Sequence, residues 1–264
     1  NSTAGASNFD GGIQSAVKAN QAKGIAVGKF TGTGSINTVG TGLSNTQMVI
    51  LKNTDSHTNW VVYHTIVDGS YDYMYLNKQN ANASSGLAPH SMSNTFKVGS
   101  NADTNASGDD YVFHAFSSSA GFSKFGTYTG NGSTTGPVIT NLGFKPKFLM
   151  IKAASISGED WVLMDTVRDT GNPVDQVIFA NTANAEITTN VYEVEFQDDG
   201  FQPKNTNPRF NQNNATYIYW ALAENLSGEG GDSLVDSPEQ RAGQSDDGAG
   251  GNVVGNYCVW NPLS

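Results

Sequence analysis

Phe125-Gly126-Thr127-Tyr128-Thr129-Gly130-Asn131-Gly132-Ser133-Thr134-Thr135-Gly136 decides the reading of this chain, because it is a restart. Gly28-Lys29-Phe30-Thr31-Gly32-Thr33-Gly34-Ser35 says nearly the same thing earlier. The residues downstream of each copy also match. Met48-Val49-Ile50-Leu51-Lys52 corresponds to Phe148-Leu149-Met150-Ile151-Lys152, Trp60 to His64 corresponds to Trp161 to Asp165, and Tyr111 to Phe116 corresponds to Tyr217 to Leu222. The separations are 98 residues between Gly28 and Gly126, 100 between Lys52 and Lys152, 101 between Trp60 and Trp161, and 106 between Tyr111 and Tyr217. The offset grows only between apolar runs, as it must if length changes collect in loops while strand registers hold. The chain therefore holds two units of about a hundred residues, each the size of an ordinary domain.

The apolar runs are short, rich in Val, Ile, Tyr, Phe and Trp, and bounded by Gly and Asn clusters, which is strand punctuation. Alternation places Trp60, Val62 and His64 on one strand face and Val61 and Tyr63 on the other. The run from Tyr217 to Leu222 is apolar almost throughout, as in a central strand covered on both faces. Asp198-Asp199-Gly200-Phe201 reads as a hairpin turn, and both Gly-x-Gly copies read as hairpins as well. No window shows convincing helical periodicity. The expectation is an all-β chain: a lead-in segment (1–23), two tandem β-sandwich units of jelly-roll or lectin-like type (24–121 and 122–225), and an extended C-terminal arm (226–264). The arm is rich in Gly and Asp and has too few apolar residues for a core of its own, so it is expected to cross a neighbouring subunit.

Among 264 residues only 14% are charged, with a net charge of −10. That balance argues against nucleic acid and against anionic membrane surfaces. The one cysteine, Cys258, excludes an internal disulfide and a Cys-based metal site within one chain. No apolar run reaches the length of a membrane helix. The first residue is Asn, which is expected of a processed chain or a piece of a longer one.

Candidate chemistry is sparse. His57, His64, His90 and His114 lack metal-ligand spacing, and packing or hydrogen bonding accounts for them. Asn101-Ala102-Asp103-Thr104-Asn105 begins like a calcium loop but has Ala106 where Gly is needed, so it reads as an Asn-rich hairpin. No metal and no cofactor are expected. Asp165, Glu193 and Glu195 are the central carboxylates; Glu193 and Glu195 would lie about 7 Å apart on a strand face, near the separation of a glycosidase pair. A solvated strand face has the same alternation. Tyr71-Asp72-Tyr73-Met74-Tyr75 puts Tyr71, Tyr73 and Tyr75 on one face, where flat rings with polar tips suit a sugar or a protein partner. Packing within the sandwich is the competing reading.

With these residues in view the chain resembles a family of tailed-phage virion proteins found in phages of marine bacteria and cyanobacteria. The resemblance rests on Asn8-Phe9-Asp10-Gly11-Gly12-Ile13-Gln14-Ser15, on Asp55-Ser56-His57-Thr58-Asn59-Trp60, on Gly121 to Ser133, and on Gly255-Asn256-Tyr257-Cys258-Val259-Trp260-Asn261-Pro262-Leu263. It implies a non-enzymatic structural role in the virion, of tail-fibre or adhesin type, in a homo-oligomer, with a trimer favoured. Partners would be other virion proteins and host surface glycans, met through Tyr71, Tyr73 and Tyr75. The alternatives are a purely structural capsid or tail decoration protein without a host ligand, and a polysaccharide depolymerase.

Overall fold

A computed structural model describes residues 5–87 and 90–223, together with the strand backbones at 252–254 and 257–259. The chain is all-β. Its strands in the first half are β1 (Ala6–Asn8), β2 (Ser15–Asn20), β3 (Ile25–Thr31), β4 (Asn37–Gly40), β5 (Met48–Asn53), β6 (Val61–His64), β7 (Asp72–Tyr75), β8 (Ala83–Ser84), β9 (Thr95–Val98) and β10 (Asp110–Phe116). The second half has β11 (Ser123–Thr129), β12 (Pro146–Ala153), β13 (Val162–Asp165), β14 (Gln176–Phe179), β15 (Ile187–Thr188), β16 (Val194–Gln197), β17 (Gly200–Pro203) and β18 (Thr216–Ala223). A 3-10 turn at Asn190–Tyr192 and a four-residue helix α1 (Pro208–Asn211) interrupt it. Each is shorter than the windows in which helical periodicity can register.

The two large sheets repeat one strand order. The first runs β1-β2-β3-β10-β5-β6-β7-β8 and the second β11-β18-β12-β13-β14-β15. Registers repeat as well: Gly28 lies opposite Phe113 and Gly126 opposite Tyr219, while Leu51 faces Phe113 and Ile151 faces Tyr219. Val61 pairs with Tyr75, and Val162 with Phe179. Side chains follow the same rule. Phe30 stacks on Tyr111 at 5.1 Å, and Tyr128 on Tyr217 at 4.9 Å, each 10° from parallel. The Tyr111 hydroxyl donates to the Ala102 carbonyl and accepts from the Ala106 N–H. Tyr217 does the same with Pro208 and Gln212, at the same spacing along the chain.

Three cores result. The first lies between the first large sheet and the small β4–β9 sheet, and includes Val39, Phe96, Tyr111 and Phe113. The second lies between the second large sheet and β16–β17, and includes Phe196, Phe201, Tyr217 and Tyr219. The third joins the halves: Met48, Val62 and Met74 pack with Phe125, Met150, Ala154, Trp161 and Ile218. Alternation along β6 thus sends Val61 and Tyr63 to the first core and Val62 to the shared one. β18, between β11 and β12, is covered on both faces, as its apolar run requires. Residues 1–224 form one compact unit, and the expected boundary at 121/122 falls in the turn between β10 and β11 within it.

Two sequence expectations change. The lead-in is part of the first sheet: β2 pairs with β3, and Ile13 and Val17 are core residues. The Gly-x-Gly stretches are strand exits rather than hairpins, since β3 leads across to β4 in the small sheet. Their glycines answer to a close backbone approach. A Cβ at Gly32 would strike the Ala106 carbonyl oxygen, and one at Gly130 the Gln212 carbonyl oxygen. Asp198-Asp199 does form the tight turn from β16 to β17. The expected arm at 226–264 lies outside the described residues except for β19 (Asn252–Val254) and β20 (Tyr257–Val259), which pair with each other as an antiparallel hairpin.

Candidate functional site

The three expected site tyrosines do face the same way, but they do not share an environment. Tyr71 precedes β7 and is 4% exposed. Its ring stacks on Tyr63 at 4.9 Å. Its hydroxyl donates to the Lys97 carbonyl at 2.6 Å and accepts from the Lys97 N–H at 3.1 Å. Burial pushes that hydroxyl well above the usual phenol range. Tyr71 is therefore a core residue with its polar tip committed to β9, and the expectation that it meets an external ligand is corrected. The reason is that its end of β7 runs beneath β9.

Tyr73 and Tyr75 lie farther along β7, where the cover thins, and both are half-buried. Their rings meet edge to face at 5.4 Å. They line a cleft of about 150 Å³ with Ser85, Asn101, Asp103 and Thr104. The acidic member is positioned by β6's approach: Asp103 Oδ1 accepts the Asn59 N–H at 2.9 Å, and Oδ2 accepts from Asn59 Nδ2 at 3.1 Å. Partial burial, with Tyr73 and Asp103 alongside, pushes the Tyr75 hydroxyl up to about 12, so it is a neutral donor across the physiological range. The Lys78 ammonium sits 4.7 Å from the Tyr75 ring centroid. Lys78 also borders a larger groove of about 560 Å³, lined by Asn77, Gln79, Asn80, Ser157 and Asn181 among others. Aromatic faces, one carboxylate and many amides and hydroxyls are the chemistry that holds a polyhydroxylated ligand.

The groove lies over the seam between the halves, and an ionic knot fixes its floor. Asp160, 3% exposed, accepts from Gln79 of the first half and from Asn181 and Arg209 of the second, at 2.7 to 3.0 Å. Burial would raise its carboxyl, but those hydrogen bonds outweigh it and hold the group below the ordinary range. Nearby, Trp161 Nε1–H donates to the Tyr75 carbonyl at 2.9 Å.

A model described as "Domain of unknown function (DUF7483)" matches residues 1–226. The chain belongs to the DUF7483 family. No curated protein and no solved structure is significantly similar to it. The family description assigns no residue a role, so the DUF7483 cleft is defined by its geometry alone.

Two of the carboxylates weighed for glycoside cleavage carry cationic partners. Asp165 is locked to Arg168 at 2.6 Å and caps the backbone N–H groups of Val167 and Arg168. Glu195 faces Lys204 at 3.5 Å. Glu193 stands outside β16, at the end of the 3-10 turn. Among the described residues no three His, Cys, Asp or Glu side chains are grouped to hold a metal. Sequence reasoning missed Asp103 and Lys78. Asp103 lay in the stretch weighed and dismissed as a calcium loop, and nothing local to it signals the tyrosines some thirty residues away.

Proposed function

We propose that this DUF7483 chain is a non-enzymatic virion structural protein of tail-fibre or adhesin type, and that the cleft at Tyr73, Tyr75 and Asp103 contacts host surface glycans. The observation that carries the reading is the convergence of two half-buried aromatic rings with Asp103, Asn101, Ser85 and the Lys78 ammonium on a rigid β scaffold. The low charge, the Asn/Ser/Thr/Gly-rich surface and the sequence resemblance to phage virion proteins support the particle setting. An assembled homo-oligomer on an extracellular particle would present many copies of so small a cleft, and weak single contacts would add by avidity.

The test is a glycan array probed with the purified full chain. Binding to a defined glycan class, reduced at least tenfold by Tyr75→Ala and by Asp103→Asn, is the expected result. Undiminished binding by both variants would displace the site. A specific observation favours a second reading, a decoration protein without host ligand: the buried Tyr71 shows that part of the same tyrosine run serves packing. An array with no hit would favour it, and release of reducing sugar from host polysaccharide would favour depolymerase chemistry instead.

A further inference from the structure

Asp103 and Arg209 hold the same place in the two repeats. Each is the third residue of a turn that begins at an asparagine: the Asn101 carbonyl accepts the N–H groups of Thr104 and Asn105, and the Asn207 carbonyl accepts those of Phe210 and Asn211. Asn59 and Asp160 correspond as well. Each precedes a tryptophan whose backbone N–H donates to an asparagine side chain, Asn77 at 3.0 Å and Asn181 at 2.9 Å, and each accepts from the Nδ2 of that same asparagine. The rings match too, since Tyr75 pairs with Val61 and Phe179 with Val162. What differs is the charge. In the second repeat the turn carries a guanidinium: Arg209 lies 5.2 Å from the Phe179 ring centroid and 5.9 Å from that of Tyr192, and donates to the Asp160 carboxylate. In the first repeat the turn carries the carboxylate, and its partner Asn59 is a neutral amide. Among the described residues Asp103 is in no ion pair. Where Arg209 fills the space over Phe179, the shorter Asp103 leaves the cleft of about 150 Å³ beside Tyr73 and Tyr75.

We propose that the cleft at Tyr73, Tyr75 and Asp103 takes a cationic group, and that the glycan it contacts carries free amino sugars, whose ammonium sits against Asp103 and the Tyr75 ring. The inference rests on the glycan reading of this cleft and names what that glycan carries. The second repeat supplies the pattern: a cation held between aromatic rings and a carboxylate, there provided by the chain's own arginine. A ring face attracts a cation, and a carboxylate accepts charge-assisted hydrogen bonds from it. The Tyr75 ring already has the Lys78 ammonium at 4.7 Å. Lys78 lines the neighbouring groove rather than the cleft, and it forms no ion pair with Asp103. Ser85 and Asn101 in the lining supply donors and acceptors for the sugar's hydroxyls. A free amino sugar is cationic, its N-acetylated form neutral and a uronic acid anionic; a chain with net charge −10 draws the first and repels the last.

Isothermal titration calorimetry of the full chain with a glucosamine oligosaccharide and with its N-acetylated counterpart tests it, both in one slightly acidic buffer that protonates the free amine. The expected result is at least tenfold tighter binding of the amine form, a preference lost in Asp103→Asn. Lys78→Met should leave the amine form bound at least as tightly, because Lys78 is a like charge. The double variant Asn59→Asp/Asp103→Arg rebuilds the second repeat's arrangement in the first, and should close the cleft and abolish binding without lowering the melting temperature. Equal or tighter binding of the acetylated form, or a preference for the amine that survives Asp103→Asn, overturns the inference while a glycan contact that depends on Tyr75 still stands. Binding of neither sugar overturns it as well, and the glycan array then decides the broader reading separately.

Discussion

Asn105 and Asn211 are fully buried polar residues at equivalent places, and they do equivalent work. Asn105 Oδ1 accepts the Thr33 N–H at 2.8 Å and its Nδ2 donates to the Ser35 carbonyl at 2.6 Å. Asn211 does this with Asn131 at 2.8 Å and Ser133 at 2.7 Å. Each amide fastens a Gly-x-Gly strand exit to the loop before the last strand. Truncation would leave a buried N–H and a buried carbonyl unpaired, so Asn105→Ala and Asn211→Ala should each cost about 3 kcal/mol in urea denaturation. Near-equal costs are the signature of equivalence. Little of this was legible beforehand, since Asn105 meets a partner seventy residues away and looks locally like any turn asparagine.

His64 is a second residue with a measurable consequence. It is wholly buried on the face of the shared core, and its Nε2 has no hydrogen-bond partner among the described residues. Burial lowers its pKa to about 4 against an ordinary 6.5, although Asp72 and Asn82 pull the other way. The unfolded chain therefore binds a proton in that interval that the folded chain refuses. Stability should fall as pH drops from 6.5 toward 4, by up to about 3 kcal/mol, and this contribution should be constant above 6.5. His114, also lowered by burial, acts in the same direction. Melting temperatures of the wild type and His64→Gln across this window check it: the variant should show a much shallower slope.

At the scale of elements, Gly28 and Gly126 explain why the same pattern opens both repeats. A Cβ at Gly28 would strike the Phe113 ring, and one at Gly126 the Tyr219 ring, each on the neighbouring central strand. Glycine here makes room for an aromatic laid across the strand. Gly28→Ala and Gly126→Ala should each destabilise by about 1–3 kcal/mol, read as a lower urea midpoint, since the ring must leave its rotamer or the strands must part. The strands themselves were plain in the sequence, because period-two alternation is local. The β16–β17 hairpin was plain as well, but the β4–β9 sheet was not, because those strands are short and pair across more than fifty residues. The Gly-x-Gly exits were misread for a related reason: Asn and Gly signal a turn, but not which sheet the chain enters after it.

On the scale of the molecule, the two repeats were visible and their union was not. The residues that join them, Met48, Val62, Met74, Met150 and Ile218, look in sequence like any inward strand positions. The apolar run of β18 announced a strand covered on both faces, but only the fold shows that the second cover is the other repeat. Burying these side chains is worth on the order of 10 kcal/mol, far more than a loose contact between domains would supply. Asp160 and its partners Gln79, Asn181 and Arg209 add a polar lock across the same seam. The amide groove takes its walls from both halves, so it keeps its shape only while they stay rigidly joined. Differential scanning calorimetry of the full chain tests that rigid joining most directly. One transition for the body formed by residues 1–224, with calorimetric and van't Hoff enthalpies in agreement, is the predicted result. Two separable transitions, with Met150→Asp shifting neither toward the other nor downward, would contradict it.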